Sequence, residues 1–158
     1  MNIAWIVIAN SSKATIYSLT LDQHKKTCVL VKTFDNPKSR FKISDLAQDQ
    51  VGQYGYGTGG HATYSHNDLH ENVVEEFALE VAKYIDSERA NNQFQKLFII
   101  AEPMFLGMLL GNLSILTQNL VKAKIDKNYV HALDNKELTI ENIVGMLDKH
   151  VLYSDINL

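Results

Sequence analysis

Apolar positions along this chain follow three patterns, and each pattern predicts an element. Residues 3–9 are an unbroken run, Ile-Ala-Trp-Ile-Val-Ile-Ala, closed by Asn10-Ser11-Ser12. An uninterrupted apolar run bounded by turn formers predicts a strand buried on both faces. Residues 14–19 alternate small or apolar with polar side chains and predict a second strand, with a turn near Asp22-Gln23-His24. Residues 27–34 predict a third, ended at Asp35-Asn36-Pro37 because proline cannot continue a ladder. Short turns between three successive strands predict an antiparallel meander.

The period then changes. Leu69, Val73, Phe77, Val81 and Tyr84 recur at helical spacing, with Val74, Ala78 and Ile85 beside them and Glu71, Glu75, Glu76 and Glu80 elsewhere. This predicts a helix over 68–90, opened by Asp68 and Glu71 as a capping box and closed by Asn91-Asn92. On that reading His66 lies outside the helix. Residues 96–101 form another buried strand stopped by Glu102-Pro103. A short apolar helix over 104–113 follows, then an alternating, edge-like strand over 120–125 and a last helix from Leu138 to Leu147. Residues 152–155 read as a tail. Three strands followed by strand–helix units predict a single α/β domain spanning 1–158. Its sheet is five-stranded and mixed, with helices on its faces, which is a ribonuclease-H-like plan.

Between the meander and the long helix, residues 36–67 carry little periodicity, an unusual length inside a compact domain. Five of the eight glycines fall within 52–60, and His61, His66 and His70 come next. Glycine lets another molecule approach the main chain closely, so the loop at about 50–66 is the candidate binding element, with Gly55, Gly57, Gly59, Gly60 and His61 at its centre. A phosphate-cradling P-loop needs a lysine and a hydroxyl at its end, and here His61-Ala62 stand there. A dinucleotide fingerprint follows a strand directly, and this loop does not. No cofactor is therefore expected. A metal site on His61, His66 and His70, helped by Asp68, is the alternative, but it needs a helix that begins before His66. Two-metal nuclease chemistry calls for an acid on the first strand, and residues 3–9 have none. The serines lack a nucleophile-elbow context.

Charge sharpens the picture locally. The 158-residue chain has a formal net charge of −3, so no global field attracts nucleic acid. Residues 13–42 nonetheless carry seven Lys or Arg against two Asp, while residues 43–90 carry nine acids against two bases. Lys38, Arg40 and Lys42 adjoin the loop and are the candidate phosphate contacts, against the plainer reading of a solvated face. The one cysteine, Cys28, excludes an internal disulfide and favours a reducing compartment. The opening apolar run has no basic segment before it and is too short to span a bilayer, so a cytoplasmic location away from membranes is expected.

Several segments together resemble the bacterial host attachment protein family. These are residues 3–17 with Ala-Asn-Ser-Ser-Lys-Ala-Thr-Ile-Tyr, then His70-Glu71 leading to Phe77-Ala78 and Val81-Ala82. The run Leu97-Phe98-Ile99-Ile100-Ala101-Glu102-Pro103-Met104-Phe105-Leu106-Gly107 and the segment Asp126-Lys127-Asn128 with Leu133-Asp134 complete the set. That family is similar to the middle domain of archaeal and eukaryotic peptide-chain release factors and of Pelota, which implies the ribonuclease-H-like sheet. In release factors a Gly-Gly-Gln loop before the long helix enters the ribosomal catalytic centre. The matching residues here are Gly59-Gly60-His61, with histidine in place of the glutamine. The arginines that accompany the release-factor helix are missing as well.

The resemblance therefore implies binding to the ribosome or structured RNA without peptidyl-tRNA hydrolysis. Two alternatives stand beside it. One is a protein-binding regulator linked to attachment, whose loop orders on a protein partner. The other is a divergent hydrolase of an RNA-linked ester with His61 as general base, since histidine titrates near neutral pH.

Overall fold

The computed structural model describes residues 2–22, 25–40 and 66–147. Its centre is β1 (Asn2–Ala9), where alternate side chains serve opposite faces of one sheet. Trp5, Val7 and Ala9 point to one side, and Ala4, Ile6 and Ile8 to the other. Both sides are covered, which is why this strand is apolar at nearly every position. β2 (Lys13–Asp22) pairs with it antiparallel, and β3 (Lys25–Asp35) pairs antiparallel with β2. On the other flank β4 (Lys96–Ala101) runs parallel to β1, and β5 (Val121–Ile125) runs parallel to β4. The order β3-β2-β1-β4-β5 is the ribonuclease-H-like arrangement that the sequence predicts.

The parallel pairs need crossovers, and the helices supply them. α1 (His66–Ala90) connects the meander to β4, while α2 (Pro103–Asn112) and the short α3 (Ile115–Gln118) connect β4 to β5. Val74, Phe77, Ala78, Val81, Ala82 and Ile85 of α1 and Phe105 and Leu109 of α2 pack on the Trp5 face. Trp5 lies 4.7 Å from Phe94 and 6.0 Å from Tyr84, and Phe34 meets Tyr84 edge-on at 5.4 Å. The opposite face is covered by α4 (Val130–Asp134) and α5 (Ile140–Leu147) through Val130, Ile143, Val144 and Leu147. The result is three layers.

Four expectations change. α1 begins at His66, two residues before the predicted capping box, so Asp68 is a helical residue and not a cap. His66 and His70 accordingly share one helix at a spacing of four. Residues Pro37–Arg40 form a 3-10 turn inside the stretch of little periodicity. α3 and α4 were absent from the sequence pattern, because one turn of helix is too short to show a period. α5 starts at Ile140, after Leu138, because Thr139 caps it. The Thr139 Oγ1 accepts from the Asn142 N–H at 3.2 Å, and the Asn142 Oδ1 accepts from the Thr139 N–H at 3.0 Å. Residues 44–48, where Ser-Asp-Leu-Ala-Gln suggests one turn of helix, and the tail at 152–155 lie outside the described residues.

A second clasp holds α3. The Asp86 carboxylate on α1 accepts from the Ser114 N–H, from the Ser114 Oγ at 3.0 Å and from the Thr117 Oγ1 at 2.6 Å. Arg89 Nε donates to the same Thr117 oxygen at 3.0 Å. Thr117 is fully buried, so each of these polar groups needs its partner.

Candidate functional site

In an open α/β sheet ligands gather beyond the carboxyl ends of the parallel strands. Here that edge is made by the β1–β2 turn, the 3-10 turn, the start of α2 and the segment after β5. Asn10 organises the turn. Its Oδ1 accepts from the N–H of Ser12 at 2.8 Å and of Lys13 at 2.9 Å, and its own N–H reaches the Lys13 carbonyl. The Glu102 carboxylate takes the Ser11 N–H at 3.1 Å. Asn10 Nδ2 reaches Asn128 Oδ1 at 3.3 Å, which ties in the chain after β5.

The 3-10 turn is fastened to the same place. The Asn36 N–H donates to the Ser12 carbonyl at 2.8 Å, and Asn36 Nδ2 donates to the Ser11 carbonyl at 3.0 Å. Ser39 Oγ donates to the Asn36 carbonyl at 2.8 Å, so its one proton is committed. The 2.9 Å contact between the Ser12 and Ser39 hydroxyls therefore has Ser12 as donor. Buried Asn36 is thus paired on its backbone N–H, side-chain amide and carbonyl.

Chemically this edge is a closed network. The N–H groups of Ser11, Ser12 and Lys13 would suit an anion, yet each already has an oxygen of the same chain. A phosphate would have to displace Glu102. β1 contributes no carboxylate to this edge. Among the described residues no three His, Cys, Asp or Glu side chains stand close enough together to hold a metal ion. What the network does is fix Pro37–Arg40, from which the chain departs towards residues 41–65, while α1 receives it at His66.

The predicted site residues divide accordingly. Gly55, Gly57, Gly59, Gly60, His61 and Lys42 lie outside the described residues, as do the side chains of Arg40, His66 and Asp68. His70 is half-buried on the first turns of α1. Lys38 is exposed and lines a recess of about 260 Å³ with Val73, Phe77, Glu76 and Glu80. Those two glutamates compete with any phosphate for the Lys38 charge. Sequence reasoning missed Asn10, Asn36, Ser39 and Glu102. The Asn-Ser-Ser turn was the only available signal, and it marks a turn without saying what the turn holds.

A larger cleft of about 460 Å³ opens on the opposite face, between the meander and the α4–α5 layer. Ile8, Tyr17, Leu30 and Leu133 wall it, and Lys13 bridges to Asp134 at 2.8 Å on its rim. Burial pushes the Tyr17 phenol above its ordinary value, and a charged Cys28 would add to that, against a smaller opposing pull from Lys13. Burial also raises the Cys28 thiol, with Glu141 acting in the same sense. Both groups stay protonated at neutral pH, so neither is an activated nucleophile.

Comparison with known proteins places the chain. Residues 5–140 match the family described as "Protein required for attachment to host cells", and the chain belongs to that family. No curated protein matches the sequence. Among solved structures it is similar to an archaeal translation termination factor. The TM-score is 0.51 at 11% identity, over 94% of this chain and 39% of that one. The chain thus spans about two-fifths of that factor's length. It is also similar to the type II variant of the Ppx/GppA phosphatase of Aquifex aeolicus. That match has a TM-score of 0.40 at 10% identity, over 79% of this chain and 36% of that one. Identities this low speak to fold alone. No helix among the described residues is long and apolar enough to cross a membrane.

Proposed function

We propose that this member of the host attachment family is a non-catalytic cytoplasmic binding protein that presents its glycine-rich loop to ribosome-associated RNA. The observation that carries the reading is the anchoring of the loop. Asn36 and Ser39 tie its upstream flank to the β1–β2 turn at the carboxyl edge of the sheet. The fold shared with a translation termination factor supports the choice of partner. Binding is favoured over catalysis because the anchoring residues are spent on one another. Lys38, Arg40 and Lys42 supply phosphate contacts in this reading, with modest affinity because Glu76 and Glu80 sit beside Lys38.

Co-sedimentation with ribosomes across a salt series tests it. The wild-type chain is expected to sediment with ribosomes at low salt and to be released as salt rises. The Lys38→Ala, Arg40→Ala, Lys42→Ala triple variant is expected to bind about tenfold more weakly and with a shallower salt slope. Wild type that never co-sediments, or a triple variant that binds unchanged, refutes the reading. A contact in lysate that survives nuclease treatment assigns the loop to a protein partner instead.

A further inference from the structure

β3 is the longest strand and one outer edge of the sheet, yet it is not built to be left bare. Val29 is 57% exposed and Leu30 55% exposed, and Val31 beside them is exposed too. Three consecutive apolar residues on an edge strand of eleven residues offer a row of backbone donors and acceptors with an apolar centre. Only Phe34 of this strand is buried, against Tyr84.

The strand also has an irregularity that matters for pairing. Ile16 stands opposite Lys32 and Tyr17 opposite Leu30, so Val31 is an extra residue with no partner on β2. Side chains therefore change parity across Val31. Cys28 packs towards the α4–α5 face, and Leu30 lines the cleft there. Beyond the bulge it is Thr33 that lines this cleft, while Lys32 and Phe34 lie on the α1 face.

We propose that β3 pairs antiparallel with β3 of a second copy of this chain, about a twofold axis between Leu30 and Val31. That axis sets bulge beside bulge, so the parity change of one strand meets the same change in the other. The resulting pairs are Leu30 with Val31, Val29 with Lys32, Cys28 with Thr33, Thr27 with Phe34 and Lys26 with Asp35. The pairs whose faces are settled agree, since Cys28 and Thr33 both look to the α4–α5 face. At each end a lysine meets an aspartate, and symmetry makes that happen twice. A register shifted by one residue would put Cys28 opposite Lys32, on the wrong face. Charge complementarity at the ends and apolar contact at the centre fit a second copy of this strand in this register. Two five-stranded sheets become one sheet of ten strands.

Sedimentation equilibrium of the full chain over a wide concentration range reads the association, with circular dichroism as the check on folding. Wild type is expected to move from the monomer mass to twice that mass as concentration rises. Lys26→Asp alone and Asp35→Lys alone each place like charges opposite one another and are expected to weaken the dimer about tenfold. The double variant restores it. In Thr33→Cys, mild oxidation is expected to link the new thiol to Cys28 of the second copy, because directly opposite residues fall within disulfide reach. Within one chain these two positions lie about 16 Å apart along the strand, too far to bridge. Lys32→Cys faces the other side and is expected to give no link. A monomer at every concentration overturns the proposal, including one whose β3 is covered only when a foreign extended peptide is added. A dimer that ignores the charge exchange, and in which the Thr33→Cys thiol forms no link to Cys28, overturns the register and with it the surface.

Discussion

β3 and β5 close the same sheet at opposite ends and solve the problem of an open edge differently. β5 has five residues, and its two exposed side chains are Lys122 and Lys124. Its bulge falls on Lys122, between the pairs Leu97–Val121 and Phe98–Ala123, so the irregular residue is a charged one. Short length, lysine and a bulge are the usual means of keeping an edge unpaired. β3 also has a bulge, but it falls on Val31, between exposed Leu30 and Lys32, and the strand is twice as long. The same device protects one edge and leaves the other apolar. The residue placed at the bulge decides whether an edge repels a second strand or receives one.

Three measurements bear on this contrast beyond the tests given above. The largest effect is expected from Phe34→Ala. Phe34 is the one buried side chain of β3, and it packs against Tyr84 of α1 beneath the Lys32 ammonium at 5.2 Å. Removing it is expected to cost about 3 kcal/mol in urea unfolding. A loss under about 1 kcal/mol would mean that β3 is held chiefly by its ladder.

An alkaline titration comes next in size. Tyr17, Cys28 and Tyr84 all have raised values, chiefly through burial, and two of them sit beneath the β3 side of the sheet. The folded state then keeps protons that the unfolded chain releases. Stability is therefore expected to be full below the unfolded thiol's ordinary value of 9.0. It is lost as pH climbs through that value and on through the higher folded ones. A stability flat across this range would show the three groups to be as open to water as any on β5.

The smallest change in stability, about 0.5 kcal/mol or less, is expected from Lys122→Val with Lys124→Val. Its consequence lies in association. β5 would then resemble β3, and a chain with two receptive edges is expected to form assemblies larger than a dimer by light scattering. Unchanged mass would show that length, not lysine, guards β5.

The central strands were legible because burial on both faces leaves an unbroken apolar run, as in residues 3–9 and 96–101. The same rule misleads on β3, where Val29-Leu30-Val31 looks as buried as Ile6-Val7-Ile8 and is instead exposed. Apolar content alone does not distinguish an edge from a centre, because strand order is a property of the whole sheet. α1 was legible from its period, but not its first turn, where His66 and Asn67 carry no apolar signal. α3 was hidden for a different reason. Its clasp is Asp86, 28 residues upstream of Ser114, and no local pattern records so distant a partner. The anchoring edge was equally dispersed, since Asn10, Asn36, Glu102 and Asn128 meet only once the sheet is assembled.

Seen as a loaded beam, α1 is clamped well away from the end that receives the loop. Asp86 and Arg89 fix its far third through Thr117, and the main core grips it from Val74 to Ile85. Leu69 and Val73 pack as a separate pair, so the first eight residues, about 12 Å of helix, stand outside the main core cluster. The two flanks of the loop are thus held by different means, Asn36 and Ser39 by hydrogen bonds to the sheet edge and the start of α1 by a small apolar pair of its own.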